Sequence, residues 1–417
     1  MALGRFGDSD DSEPIELEVC YRARFLNGCN DESASHGFAQ LLKVLPFDHF
    51  EHLVAKYQAN HYSKTLPAWA HLVCMIYAQL TRREGLRDLV ACLNSRASQL
   101  YHLGIRHRLT RSTLADAAQR RDCQLFEALG QRLITMALTL HKHDAIPLGL
   151  KEPLYAMDST TISLCLNLFT WAHFRSAKAA IKAHTVLDLR GSIPVFISIT
   201  TGDIPDNKVL DMLKLQANAT VVLDRGYVDF IRLYALTQRK VRFVVRAKDN
   251  LHYRRVKSRA VDPTSGLRAD DSIWLVNKKS RRDYPRRLRR IEFYDALTDL
   301  ELVFLTNRFD LPALVIAQIY KERWKIELFF KWLKQNLSIK HFFGNSENAV
   351  RAQIWIAICV YLIVVIAHKQ LRLQISLQLL LHLIETNIFE KVSLQDLVAS
   401  AQSIEPDLFS DTQIPLL

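Results

Sequence analysis

Two short apolar runs, each ending on a lone aspartate, constrain this chain more than anything else in it. LYAM leads into Asp158 and then Ser-Thr-Thr, and TVVL leads into Asp224 and then Arg-Gly-Tyr. Apolar and β-branched runs of this length predict buried strands. A carboxylate at the end of such a strand is costly to bury unless it is paired or bound to a metal. Either aspartate alone reads as readily as a turn residue capping backbone amides. Two of them at the ends of neighbouring strands can converge on one point, and a third acid there changes the balance. Gly226 is expected to permit a tight turn from Asp224 into a following helix.

The texture around these runs places them in an α/β region. After Pro147 come LYAMDSTTISLC, AAIKAHTVLDL, IPVFISITTG, ATVVLDRGY and VRFVVRA, with a helical stretch after the fourth. The pattern predicts a mixed five-stranded sheet. Lys178, Lys182 and His184 fall on or near the second strand and read as edge-strand residues that discourage aggregation, or as groups facing a ligand beside Asp158. Before Pro147 the pattern is helical: Phe50, Leu53, Val54 and Tyr57 repeat on one helix face, and further helices are predicted over 67–80, 85–95, 112–121 and 125–140. Leu109 to Asp122, with Ser112 or Thr113 as N-cap and with Arg120 and Arg121, reads equally as the second helix of a helix-turn-helix or as an ordinary bundle helix.

The third acid lies in YKERWKIELFFKWLKQNL, 320–337. At 100° per residue, Tyr320, Arg323, Glu327, Lys331 and Lys334 fall within an arc of about 80°, and Ile326, Phe329, Phe330 and Leu333 occupy another sector. A solvated stripe has the same look, since Glu and Lys four apart stabilise helices. One acid among Tyr, Arg and two Lys is also what a metal beside phosphates requires. Phosphodiester chemistry needs an activated nucleophilic oxygen and a stabilised leaving oxygen, and two Mg²⁺ ions about 3.5–4 Å apart supply both. Mg²⁺ takes hard oxygen ligands, so Asp158, Asp224 and Glu327 suffice, with Mn²⁺ able to substitute.

Charge points the same way. The 417 residues carry a formal net charge of +12, which favours a polyanionic partner, nucleic acid ahead of an acidic membrane. The densest runs are RRVKSR at 254–259 and KKSRRDYPRRLRR at 278–290. They read as a solvated face or, in preference, as a DNA-contacting surface. Seven scattered cysteines without a CxxC pair fit a reducing cytosol and neither a disulfide framework nor a zinc site. The start, MALGRFGDSDDSEPIELEV, lacks the apolar segment of a signal peptide. The apolar stretch 354–367 is about fourteen residues, short of the roughly twenty a membrane span needs, and predicts a helix buried on every side.

These residues resemble the DDE transposases of bacterial insertion sequences, in particular the fourth insertion-sequence family with its Tyr-x2-Arg-x3-Glu-x6-Lys signature, here Tyr320, Arg323, Glu327 and Lys334. The resemblance covers roughly 147–373, and 38–113 looks like the helical domain that accompanies some of these enzymes. It implies a ribonuclease-H-like core whose sheet carries Asp158 and Asp224, with Glu327 arriving from a helix. Tyr320, Arg323 and Lys334 would position DNA phosphates, with Lys331 added from its place on the stripe. The family also has a β-rich insertion between the second Asp and the Glu; some relatives stack a flipped base there, and Trp274 is the candidate, although a plain strand residue explains it as well.

The resulting expectation is a flexible arm (1–35), a helical DNA-binding domain (36–146), the core's first part (147–249), a basic β-rich insertion (250–305), a helical second part (306–373) and a helical tail (374–417). The expected activity is metal-dependent cleavage at transposon ends and strand transfer into target DNA, by a homodimer on double-stranded DNA in the bacterial cytoplasm, associated with the nucleoid and not with a membrane. The competing readings are a ribonuclease-H-like nuclease that never joins strands and a DNA-binding protein that has lost its chemistry.

Overall fold

The computed structural model describes residues 37–175, 178–339 and 341–404. The expected arm at 1–35, with the reading of its start, and the last residues of the tail lie outside the described residues. The described residues form two compact units, one within 37–130, 341–344 and 352–404, the other within 131–339 and 345–351.

The first unit begins with α1 (Gly37–Leu42), α2 (Phe47–Lys56), α3 (Ala68–Leu80), α4 (Leu86–Ser95), α5 (Ala97–Tyr101) and α6 (Arg111–Arg120). The amphipathic pattern of α2 buries Phe50, Leu53 and Val54, and α3, apolar on all sides, is buried at every residue. Thr110 caps α6, its Oγ1 accepting from the Thr113 amide at 3.2 Å, in place of the expected Ser112 or Thr113. Arg121 is not a surface cation. Its guanidinium is buried and donates to Ala59 O (3.2 Å), Ser63 Oγ (3.2 Å) and Leu66 O, satisfying carbonyls of the loop after α2 that burial would otherwise leave unpaired. Arg120, one residue earlier, is exposed. Helix α7 (Cys123–Leu140) follows.

The second unit is built on one sheet. Its elements are β1 (Leu154–Leu164), β2 (His173–Arg175), β3 (Lys178–Asp188), β4 (Ile193–Thr201), β5 (Thr220–Leu223), α8 (Phe230–Gln238), β6 (Arg242–Arg246), β7 (Tyr253–Ser258), β8 (Leu267–Leu275), α9 (Lys278–Asp283), β9 (Leu288–Asp295), β10 (Leu300–Thr306), α10 (Ala313–Lys321) and α11 (Trp324–Asn336). The strand order is β2-β3-β1-β5-β6-β10-β9-β8-β7, with β4 also on β3. Strands β1, β3 and β4 are antiparallel, whereas β1, β5 and β6 run parallel.

All five predicted strands form, but the sheet has ten strands and not five. The reason lies at β6, whose second edge is paired by β10, Leu305 opposite Val245. Through β10 the insertion strands β9, β8 and β7 extend the core sheet instead of forming a module of their own. The edge-strand reading of Lys182 and His184 also falls, because β3 has neighbours on both sides.

Extending the sheet draws four of the twelve cations in the basic runs onto two of its aspartates. Asp270 is buried and receives Arg289 twice at 2.8 Å and Arg259 at 3.0 Å, while Asp271 pairs with Arg255 at 3.0 Å and Arg290 at 3.9 Å. Arg254, Lys257, Lys278, Lys279, Arg286 and Arg287 stay exposed. The β7–β8 connection turns on Gly266, at φ +86°, where an added Cβ would sit 2.6 Å from Tyr294 O.

The chain ends in α12 (Glu347–Gln370), α13 (Leu377–Thr386) and α14 (Leu394–Ile404). Helix α12 is long and apolar enough to cross a membrane, yet 94% of its apolar window is buried within the protein.

Removing one partner of a buried ion pair strands the other charge, at a cost of about 3–5 kcal/mol. Asp270→Ala is therefore expected to destabilise the protein by that amount in urea unfolding; a loss below about 1 kcal/mol would mean that Arg289 finds another partner.

Candidate active site

In the parallel pair, Met157 lies opposite Leu223. The next residues, Asp158 and Asp224, therefore leave the strands side by side where β5 ends. Helix α11 packs on β1 and brings Glu327 to the same place. The sequence predicts one continuous helix from Tyr320 to Leu337, but the structure breaks it between α10 and α11. There the bonds tighten to three-residue spacing: the Arg323 amide donates to Tyr320 O, that of Lys325 to Glu322 O and that of Ile326 to Arg323 O, each at 3.1 Å.

That tightened turn aims two side chains at the acids. Arg323 Nη2 donates to Glu327 Oε1 at 2.6 Å and Nη1 lies 3.5 Å from Asp158 Oδ2. Tyr320, buried against the Phe304 ring at 4.7 Å between centroids, directs its hydroxyl to Asp224 Oδ1 at 3.4 Å. The other oxygen of Asp158 accepts the Ser159 amide at 2.8 Å. All three acids thus meet one Arg and one Tyr of the same short segment.

The electrostatics follow from this crowding. Burial pushes Asp158 up to about 6, with the charges of Asp224 and Glu327 adding to it and the Ser159 amide and Arg323 opposing it. Burial alone would lower Arg323, but Tyr320, Glu327 and Asp158 around it raise it above the usual arginine value. Among the described residues no three His, Cys, Asp or Glu side chains are spaced to hold a metal ion as they stand. The acids are drawn onto Arg323 and Tyr320 rather than onto one another. Their donors are nonetheless all carboxylate oxygens carried to one end of the sheet, so the residues fit a hard divalent cation.

Other expected residues are placed differently. Lys331 is exposed and Lys334 half-exposed on α11, one and two turns beyond Glu327. Trp274 is not brought to the acids. The row through Asp224 passes on through Arg246, Phe304, Ile291 and Asp270, and Trp274 lies four residues from Asp270 toward the opposite end of its strand. It is half-buried there, with the Arg281 guanidinium 6.0 Å from its ring. The tight turn expected at Gly226 forms as a 3₁₀ turn over residues 225–227, and α8 then starts from Asp229, whose side chain accepts the Arg232 amide.

Sequence reading missed Arg246. It stands in the row of Asp224, half-buried, and its charge acts on Tyr320. The available signal was positional: VRFVV ends on Arg as LYAM and TVVL end on Asp.

Residues 149–363 match a family model described as a transposase DDE domain, and residues 34–106 match one described as a domain of unknown function. A Sinorhizobium fredii protein named as a transposase is 32% identical over 56% of this chain and 66% of its own length. A Geobacillus stearothermophilus protein named for the transposase of insertion sequence element IS5377 is 32% identical over 55% of this chain and 60% of its own. A Synechocystis protein named for the transposase of insertion sequence element IS4SA is 26% identical over 60% of this chain and 70% of its own. The match thus spans 60% to 66% of the length of the first two relatives.

Because Asp158 is raised in the fold, the folded state binds more protons than the unfolded chain between the ordinary carboxylate range and about pH 6. Stability therefore falls as pH rises through that window. Without divalent metal, Asp158→Asn is expected to gain about 1–3 kcal/mol at pH 7 and to flatten this slope in denaturant titrations. An unchanged slope would show that Asp158 titrates normally.

Proposed function

The chain belongs to the transposase DDE domain family, and on that premise we propose that it cuts DNA at the ends of an insertion sequence and joins the freed 3′ hydroxyl to target DNA. The observation that carries this reading is the meeting of Asp158, Asp224 and Glu327, from two adjacent parallel strands and one helix, around Arg323 and Tyr320. Acids on a mixed sheet with the third on a packed helix fit a ribonuclease-H-like core.

Asp158, Asp224 and Glu327 would hold two divalent ions, Mg²⁺ or Mn²⁺, which when bound activate the attacking oxygen and stabilise the leaving one. The remaining work belongs to the chain. Without metal, Arg323 offsets the charges of Asp158 and Glu327 and keeps the buried carboxylates from repelling one another. With DNA present, the same guanidinium, the Tyr320 hydroxyl and Arg246 lie at the acids and grip phosphate oxygens, with Lys331 and Lys334 further along α11. Contacts of this kind set register and not sequence.

The exposed cations Arg254, Lys257, Lys278, Lys279, Arg286 and Arg287 hold the DNA backbone elsewhere on the insertion. In the helical region 36–146, Arg120 is available to DNA and Arg121 is not. The working form is a homodimer that brings two ends together.

Purified protein incubated with Mg²⁺ or Mn²⁺ and end-containing DNA is expected to give cut and joined products on denaturing gels. Asp158→Ala, Asp224→Ala and Glu327→Ala are each expected to lower the rate at least about a hundredfold, the scale seen when even outer partners of a metal site are lost. Cutting without joining would favour a nuclease; undiminished cutting by Asp158→Ala would remove the metal assignment.

A further inference from the structure

Behind Asp158 lies a polar cluster that the proposed reaction does not use. Asp158 and Ser159 are consecutive on β1, so their side chains leave the sheet on opposite faces. On the second face Ser159 Oγ donates to Asp206 Oδ1 at 2.9 Å. The same oxygen lies 3.3 Å from Lys182 Nζ and 3.6 Å from His184 Nδ1. His184 stands opposite Ser159 in the β1–β3 register and Lys182 opposite Thr161, so both side chains share that face. Lys182 also donates to Ile204 O at 3.0 Å, and His184 Nε2 meets Thr200 Oγ1 at 2.9 Å. His184 is fully buried, and burial brings it down to about 4, a neutral ring. The buried Tyr227 hydroxyl lies beside Ser159 in the same cluster and feels the charges of Asp158 and Asp206.

Ser159 joins this cluster to the acids. Its amide donates to Asp158 Oδ1 at 2.8 Å on one face while its hydroxyl is anchored to Asp206 on the other. The anchor matters at this point of the strand because the β1–β5 pairing stops at Met157 and Leu223. From Asp158 onward β1 is paired on one edge, by β3, and the backbone that aims the carboxylate has lost half of its ladder.

We propose that Asp206 and Ser159 are positioning residues for Asp158: Asp206, neutralised by Lys182, holds the Ser159 hydroxyl and so fixes the amide that orients the catalytic carboxylate. Preorganisation of this kind lets a first ligand keep its geometry when the strand around it is only half supported. The inference rests on the assignment of Asp158 as a catalytic acid.

Ser159→Ala removes one hydroxyl and leaves the Asp206–Lys182 pair intact. Single-turnover strand transfer on pre-cut ends is expected to slow about tenfold or more, with the metal-free DNA Kd unchanged within about twofold and Tm lower by roughly 2–4 °C, the scale of one hydrogen bond. Asp206→Ala is expected to slow the step at least as much. Asp206→Asn, which keeps an acceptor for the hydroxyl, is expected to recover most of the rate.

Ser159→Ala and Asp206→Ala reacting at the wild-type rate per folded molecule would overturn the proposal, as would Asp206→Asn being as slow as Asp206→Ala. Asp158→Ala, run in parallel, separates the two levels. If it stays active, the assignment of the acid itself fails; if it is inactive while Ser159→Ala is normal, only the positioning role fails.

Discussion

Three carboxylates brought to the open end of a buried parallel strand pair repel one another, and one guanidinium with one phenol hydroxyl offsets their charges. Arg323 reaches Asp158 and Glu327 at once, and Tyr320, three residues earlier, takes Asp224. Neither reach would be available from a regular helix running straight through the segment. The tightened turn at 320–326 turns the two side chains onto acids carried by different strands, at the expense of helical bonding that α10 and α11 regain on either side.

The sheet supplies the rest of that geometry. Parallel pairing of β1, β5 and β6 lines up Asp158, Asp224 and Arg246 in one row, and β10 extends the row to Phe304, whose ring backs Tyr320. A strand of the basic insertion thus buttresses the Tyr that touches the second acid. The arginines nearest the core are consumed by Asp270 and Asp271, which lets a strongly cationic segment pair into a sheet while its outer members stay free for a polyanion.

Much of this was legible in the sequence, and the exceptions share a cause. The five core strands, the three acids and the amphipathic sectors of α11 follow from local pattern, because period and burial act over a few residues. What failed depends on partners distant in sequence. That β10 would pair β6 is not written in either strand's alternation, so a five-stranded sheet was expected where ten strands form. Arg121 reads as a helix-end cation until the carbonyls of Ala59 and Leu66 are found beside it. The place of Trp274, toward the far end of β8 from the acids, likewise follows from register and not from its own neighbours in sequence. Ser159 reads only as the residue after the first acid and Asp206 carries no motif; the fold alone brings the two within hydrogen-bond distance.

Replacing Mg²⁺ by Fe²⁺ and generating hydroxyl radicals at the bound ion tests the convergence most directly, because the polypeptide is then cut wherever it lies close to the metal. Breaks are expected together near 158, near 224 and between 320 and 327, and all three sets should vanish in Asp224→Ala. Breaks confined to one of these segments, or unchanged in that variant, would contradict a shared site.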